Sequence, residues 1–150
     1  MTKENISIVS FSNDHIDGIM AIDKLSFSLP ASLDYYKKEL QNKSAKYIVA
    51  TKNGQILGYA ALWLIVDEGH LINIAVHPEY RGIGISKMLL DELIKICKNF
   101  NITSMTLEVR ASNNVAINLY HKYGFKDSGI RKGYYADNKE DAIIMWKKDI

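Results

Sequence analysis

Glycines, cations and a missing helix cap stand together at Arg81-Gly82-Ile83-Gly84-Ile85-Ser86-Lys87. Glycine can take positive φ or let backbone approach a ligand closely. No Ser, Thr, Asp or Asn directly precedes the run from Gly82, so the helix that follows lacks an ordinary N-cap. Its first turn carries no acid. Arg81 and Lys87 sit there instead, against the helix dipole, at about 0.3–1 kcal/mol each when exposed. Unpaired N–H groups, glycines and cations at a helix start suit an anion, above all a phosphate. A loose turn with surface cations fits the spacing equally well. It is neither a nucleotide P-loop nor a dinucleotide fingerprint, since Gly-x-x-x-x-Gly-Lys-Ser/Thr and Gly-x-Gly-x-x-Gly are both absent.

The surrounding periodicities say what must hold this turn. Leu71–Val76 is an apolar strand running into it. The helix after Gly84 places Ile85, Met88, Leu89, Leu93, Ile96, Cys97 and Phe100 on one face, opposite Lys87, Asp91, Lys95 and Lys98. Residues 103–110 form the next strand, which a crossover helix makes parallel to Leu71–Val76 with a right-handed connection. In open α/β sheets the ligand lies outside the carboxyl ends of such strands. That point is bounded by Ile74, Ala75, Val76, the glycine turn and the strand that carries Glu108.

Upstream, Ile6–Phe11 alternates as a first strand, and Asn13 or Asp14 caps a helix with Ile16, Ile19, Met20, Ile22 and Leu25 at helical spacing. Pro30 interrupts, and Ser32 starts a short helix over Leu33–Leu40. Tyr47–Thr51, the Asn53-Gly54 turn and Ile56–Val66 read as a hairpin, and Asp67-Glu68-Gly69 turns into Leu71–Val76. Downstream, Ser112 caps a helix over Asn113–Lys122 that Gly124 ends. Phe125–Ile130 and Ala142–Lys147 close the chain as strands around the polar turn Asp137–Glu140. The expectation is one α/β domain over 1–150, a mixed sheet of about seven strands and about four helices around a central βαβ unit.

Composition narrows the classes. With 150 residues, 47% apolar and 24% charged, the chain suits one soluble globular domain. A net charge of +2 without a basic stripe argues against nucleic-acid binding. No apolar run approaches the roughly 20 residues of a membrane span, and the N-terminus lacks the apolar core of a leader. Cys97 is the sole cysteine, so no intrachain disulfide forms and a cytoplasmic setting is expected. On its helix it reads as core rather than as a nucleophile. His15, His70, His77 and His121 lack metal-ligand spacing, and no metal is expected.

The stretch Ile74–Lys87 resembles the acetyl-CoA signature of the GNAT superfamily of N-acetyltransferases, Arg/Gln-x-x-Gly-x-Gly/Ala, with Ser86 in place of the last Gly/Ala. Leu107-Glu-Val-Arg-Ala-Ser-Asn113, Asn118-Leu-Tyr-His-Lys-Tyr-Gly-Phe125, Tyr134-Tyr135 and Glu140-Asp-Ala-Ile-Ile-Met145 resemble its ribosomal-protein-alanine N-acetyltransferase (RimI-like) branch. The likeness is strong over residues 45–146. It extends to the first 44 only in layout, where Ser26-Phe-Ser-Leu-Pro30 replaces the branch's Pro-Trp pair.

The resemblance implies acetyl transfer from acetyl-CoA to the α-amino group of a protein N-terminus, with N-terminal alanine of a ribosomal protein as acceptor. An α-amine pKa of about 7.7–8 asks only for a mild base. Glu108 matches the family's base and Tyr120 its general acid. Ile74–Val76, Arg81–Lys87 and Asn113 match donor contacts. Phe27, Leu29 and Tyr36 on the 26–36 segment, with Tyr134 and Tyr135, are the expected acceptor contacts. Without the resemblance, Glu108 reads as a solvated strand residue, and Tyr120, spaced helically with Ala116, Ile117 and Tyr123, as core. A lysine side chain or small amine as acceptor, and a non-catalytic acyl-CoA-binding module, are the competing readings.

Overall fold

The computed structural model describes residues 5–150 as a seven-stranded sheet with helices on both faces. In chain order the elements are β1 (Ser7–Ser10), α1 (Ile16–Ser26), α2 (Leu33–Gln41), β2 (Ala45–Lys52), β3 (Gln55–Ile65), β4 (Glu68–Val76), α3 (Ile85–Asn99), β5 (Ser104–Arg110), α4 (Asn114–Lys122), β6 (Lys126–Arg131) and β7 (Ala142–Lys148). The strand order is β1-β2-β3-β4-β5-β7-β6. Only β4 and β5 pair in parallel. The mixed sheet, its count of strands and helices, and the βαβ unit all stand as expected.

Strand alternation sorts the core into two layers. Ile48, Ala50, Ala60, Leu62, Leu107 and Val109 face Leu89, Leu90, Leu93 and Cys97 of α3 and Tyr120 of α4. Tyr47, Val49, Tyr59, Ala61 and Ala75 face Ile16, Ile19 and Ile22 of α1 and Tyr36 of α2. One layer is almost wholly aliphatic; the other holds tyrosines and buried acids.

The sheet then opens at its centre. Parallel pairing of β4 with β5 ends at Leu71↔Leu107, although β4 continues to Val76 and β5 to Arg110. Ile72 is the cause on the β4 side. Against β3 the register passes from Leu62↔Leu71 to Ala61↔Asn73, which leaves Ile72 as a β-bulge. A bulge bends its strand and increases twist, and here it directs the end of β4 away from β5.

Several boundaries differ from expectation. Asn13–His15 is a 3-10 turn capped by Ser12, whose backbone N–H donates to His15 Nδ1 at 3.0 Å. Asp67-Glu68-Gly69 is not the β3–β4 turn: Val66 and Asp67 make it, with Val66 at φ 56°, and Glu68 and Gly69 already lie in β4. Asn113, not Ser112, caps α4 by accepting from Ala116 N at 3.1 Å. Leu25 and Phe100 leave the apolar stripes and are exposed, whereas Leu90, at the stripe's flank, is buried. Phe100 lies under the Lys46 ammonium, 5.0 Å from its ring centroid.

Candidate active site

Two cavities meet in the opening between β4 and β5. The larger, about 840 Å³, lies towards α3 and α4 and is bounded by the start of α3, the length of α4 and the β4 edge. The smaller, about 430 Å³, lies towards α1 and α2 and is closed by the 26–31 and 132–141 loops. Phe27, Ile74, Asn113, Ala116 and Tyr120 line both.

On its β4 and α3 sides the larger cavity is shaped by backbone. Gly84 is the N-cap residue of α3 at φ 91°, with no side-chain cap and no acid in the first turn. That conformation costs an L-residue about 1–2 kcal/mol. Gly82, at φ 83°, prepares the same turn. Gly58, absent from the sequence argument, makes the close packing possible. A Cβ there would lie 2.8 Å from Ala75 O of β4 and 3.3 Å from Ile85 Cγ2, so β4 would have to draw back and the first residue of α3 shift slightly.

The β4 edge contributes amides. His77 N donates to Leu57 O at 2.8 Å, which puts residues 77, 75 and 73 in the antiparallel exchange with β3. The amides of Ile74 and Val76 therefore face the gap, whereas that of Ala75 is turned to β3. Arg81 Nε, in turn, donates to Val76 O at 3.2 Å and is fixed at the cavity wall. With Lys87 and Lys122 it makes the lining cationic. Ile85 and Ser86 line this cavity too, while Ile83 does not and packs partly buried on the core.

The smaller cavity is built from side chains. Glu108 projects from β5 into it, and Arg131 Nε of β6 donates to Glu108 Oε1 at 3.2 Å. Asp23, only 1% exposed, accepts from Tyr59 Oη at 2.5 Å and from the Tyr36 hydroxyl. Burial raises the Asp23 carboxyl above its ordinary range, against the lowering effect of these bonds. Asn73 Nδ2 donates to Tyr59 Oη at 2.9 Å. At the rim, Arg110 donates to Asp137 at 2.9 Å and to Glu140 at 3.3 Å, and its guanidinium lies 4.0 Å from the Tyr135 ring centroid. Ser28 Oγ donates to Asp137 at 2.5 Å, which ties the two closing loops together.

Of the expected acceptor contacts, Phe27, Leu29, Tyr36 and Tyr135 reach this cavity, Leu29 with 67% of its surface exposed. Tyr36 does so from beneath, with its hydroxyl committed to Asp23. Tyr134 is half-exposed outside both cavities, edge-on to Tyr135 at 5.1 Å. Asn113 spends its Oδ1 on the α4 cap. Asp23, Tyr59, Asn73 and Arg131 were not anticipated. The available signals were an acid on the apolar stripe of α1, four residues after Ile19, and a lone polar residue between Ile72 and Ile74.

Tyr120 stands where the cavities join, 7% exposed and edge-on to Phe125 at 5.7 Å. Burial pushes its phenol up to about 12, so it keeps its proton and can donate at neutral pH. Cys97 is buried, with its thiol pushed up to about 11, and lies on neither cavity. Among the described residues no group of three or more His, Cys, Asp or Glu side chains is placed to hold a metal. No helix among them is long and apolar enough to cross a membrane.

A split parallel pair, an uncapped glycine turn and a cationic cradle define an acyl-transfer fold, and residues 16–125 match the Acetyltransferase (GNAT) family; the chain belongs to it and is an N-acetyltransferase. It is 39% identical over 145 residues, 96% of either chain, to a Bacillus subtilis (strain 168) protein that carries the ribosomal protein bS18-alanine N-acetyltransferase name provisionally. It is 41% identical over 108 residues to the enzyme of that name from Escherichia coli (strain K12), covering 69% of this chain and 73% of the other. The crystal structure of the E. coli ribosomal-protein-S18-alanine N-acetyltransferase superposes with a TM-score of 0.88 at 33% identity, over 96% of this chain and 94% of that one.

Proposed function

We propose that this chain transfers acetyl from acetyl-CoA to the α-amine of a protein N-terminus, with N-terminal alanine of ribosomal protein bS18 as acceptor. The observation that carries the reading is the pair of cavities on opposite faces of the split sheet, one cationic, the other acidic, joined at Tyr120. Acetyl-CoA fits the first: the Gly82–Lys87 turn and the side chains of Arg81, Lys87 and Lys122 suit its phosphates, and the β4 amides of Ile74 and Val76 suit its pantetheine amides and thioester carbonyl. The acceptor enters the second.

The neutral amine attacks the thioester carbonyl from the α1/α2 face, and Glu108 takes the proton released as the C–N bond forms. The C–S bond breaks towards the α3/α4 face, where Tyr120 donates to the departing thiolate. A phenol near 12 opposes full transfer to a thiolate of about 8.5; its role is a hydrogen bond that strengthens as charge builds on sulfur. CoA leaves as the thiolate and Glu108 holds the one proton the amine released, so the sum closes when Glu108 gives that proton to solvent and the thiolate takes one up. Cys97, buried and protonated, supports direct attack without an acyl-enzyme.

Peptides beginning with Ala, Ser or Met, and one with a blocked N-terminus and an internal Lys, test the reading side by side. The bS18 N-terminal sequence is expected to turn over fastest. Turnover of the internal-Lys peptide alone overturns the Nα assignment. Acetyl-CoA at 100 times its Kd should stabilise the fold by about 2.7 kcal/mol.

A further inference from the structure

Asn73 is the polar residue in the apolar run Leu71-Ile-Asn-Ile-Ala-Val76, placed directly after the bulge that splits the sheet. Asparagine is a poor strand former, so its presence there calls for a role. Its register partner is Ala61, and Tyr59↔Ala75 lies one step along, so Asn73, Tyr59 and Ala75 share the α1/α2 face. On β5, Leu107 and Val109 belong to the opposite layer, which puts Glu108 on the α1/α2 face as well. Asn73 and Glu108 thus project from the two diverging strands into one cavity.

The buried chain behind Asn73 fixes which way its amide points. Asp23 is an acceptor. The single O–H of Tyr59 is spent on it at 2.5 Å, and the Tyr36 hydroxyl satisfies its second oxygen. Tyr59 Oη can then only accept, and it accepts from Asn73 Nδ2 at 2.9 Å. The amide cannot flip without setting its carbonyl oxygen against a hydroxyl that has no proton left. Asn73 Oδ1 is therefore held outward, with no hydrogen-bond partner among the described residues.

We infer that Asn73 Oδ1 accepts a hydrogen bond from the acceptor amine and turns the amine's lone pair towards the thioester, with Tyr59 and Asp23 as positioning residues that act through Asn73. The inference rests on the acceptor reading above. Glu108 takes one N–H proton from across the gap and Asn73 holds another, so the two strands grip the nitrogen from either side. A carboxamide suits this better than a second carboxylate: it binds amine without anchoring the ammonium form, which cannot attack.

The test is a cycle of Asn73→Leu and Tyr59→Phe, read as peptide KM, kcat and acetyl-CoA Kd. One neutral hydrogen bond, about 0.5–1.5 kcal/mol, corresponds to a rise in peptide KM of roughly two- to twelvefold in Asn73→Leu, with acetyl-CoA Kd unchanged. Tyr59→Phe releases the amide and should raise peptide KM about threefold in the wild-type background, and not at all in the Asn73→Leu background. Asn73→Thr, a better strand former whose hydroxyl is too short to reach, should reproduce Asn73→Leu and carries the test if Leu disturbs folding. Unchanged peptide KM in Asn73→Leu or Asn73→Thr, or an equal effect of Tyr59→Phe in both backgrounds, overturns this inference alone. No turnover of any amine-bearing peptide by the wild-type chain overturns the acceptor reading with it.

Discussion

The two sides of the split sheet are made by different means. The larger cavity, where we place the donor, draws on main chain along β4 and the start of α3: the αL cap at Gly84, the β4 amides turned outward by alternation, and the close approach of β3 to β4 that Gly58 allows. Its longest contiguous stretch runs from Ile74 to Lys87, and α4 supplies most of the remainder. The smaller cavity, where we place the acceptor, depends on side chains drawn from α1, α2, β3, β4, β5 and the closing loops, arranged in layers of hydrogen bonds. A backbone-built site recognises what every donor molecule has in common, whereas a side-chain-built site can be rewritten for a new acceptor without moving the frame. Substitutions should accordingly separate into two groups, one weakening acetyl-CoA binding and one changing turnover or acceptor use.

The largest effect belongs to Glu108. Replacing Glu108 by Gln keeps its shape and removes the proton acceptor, and kcat should fall on the order of 10²- to 10⁴-fold with acetyl-CoA Kd unchanged. Turnover at the wild-type rate would break the division at its strongest point. Tyr120→Phe comes next. Loss of a donor aimed at developing charge is worth on the order of 10²-fold in kcat. Because Tyr120 lines both cavities, it is also the residue at which a clean separation of donor and acceptor effects should fail. Gly84→Ala should do the reverse. An L-residue at φ 91° strains the turn by about 1–2 kcal/mol, so acetyl-CoA Kd should rise about tenfold, while kcat at saturating donor stays within about twofold. A fall in kcat with unchanged Kd would show that the turn serves chemistry rather than binding.

The same contrast governs what could be read in the sequence. Leu71–Leu90 is contiguous and periodic: a buried strand, a glycine turn and an amphipathic helix follow one another, and the end of β4, the helix α3 and its missing cap fall as expected, whereas the Ile72 bulge has no local signal. Glu108 and Tyr120 came from resemblance, since a strand glutamate and a helical tyrosine have ordinary explanations. The acceptor floor was hidden for a physical reason. Asp23 on α1 resembles any polar helix residue until α2 and β3 bring Tyr36 and Tyr59 to it, and no local pattern encodes a contact between residues 23 and 59. The cap errors have a shared origin too. Ser12 and Asn113 compete with polar neighbours equally able to cap, and backbone φ/ψ, not residue type, decides between them.

The smallest effect is the most diagnostic of the acceptor side's layering, because its floor and its rim should respond to pH with opposite sign. At the rim, the Ser28 hydroxyl and then the Arg110 guanidinium hold the Asp137 carboxyl below its ordinary 3.8. Between the folded value and 3.8 the unfolded chain binds more protons, so the stability Asp137 contributes is fully present above 3.8 and is lost as pH falls through the folded value. At the floor, burial holds Asp23 above 3.8. There the folded chain binds more protons, so stability falls as pH rises from 3.8 through the folded value. Melting of wild type, Asp137→Asn and Asp23→Asn across pH 3–6 reads both. The advantage of wild type over Asp137→Asn should grow as pH rises, and its advantage over Asp23→Asn should shrink. Both slopes should be small beside the roughly 5–15 kcal/mol of a folded domain. Parallel slopes would mean that floor and rim share one electrostatic environment, and that the acceptor cavity has no dry interior to hold Asn73 in place.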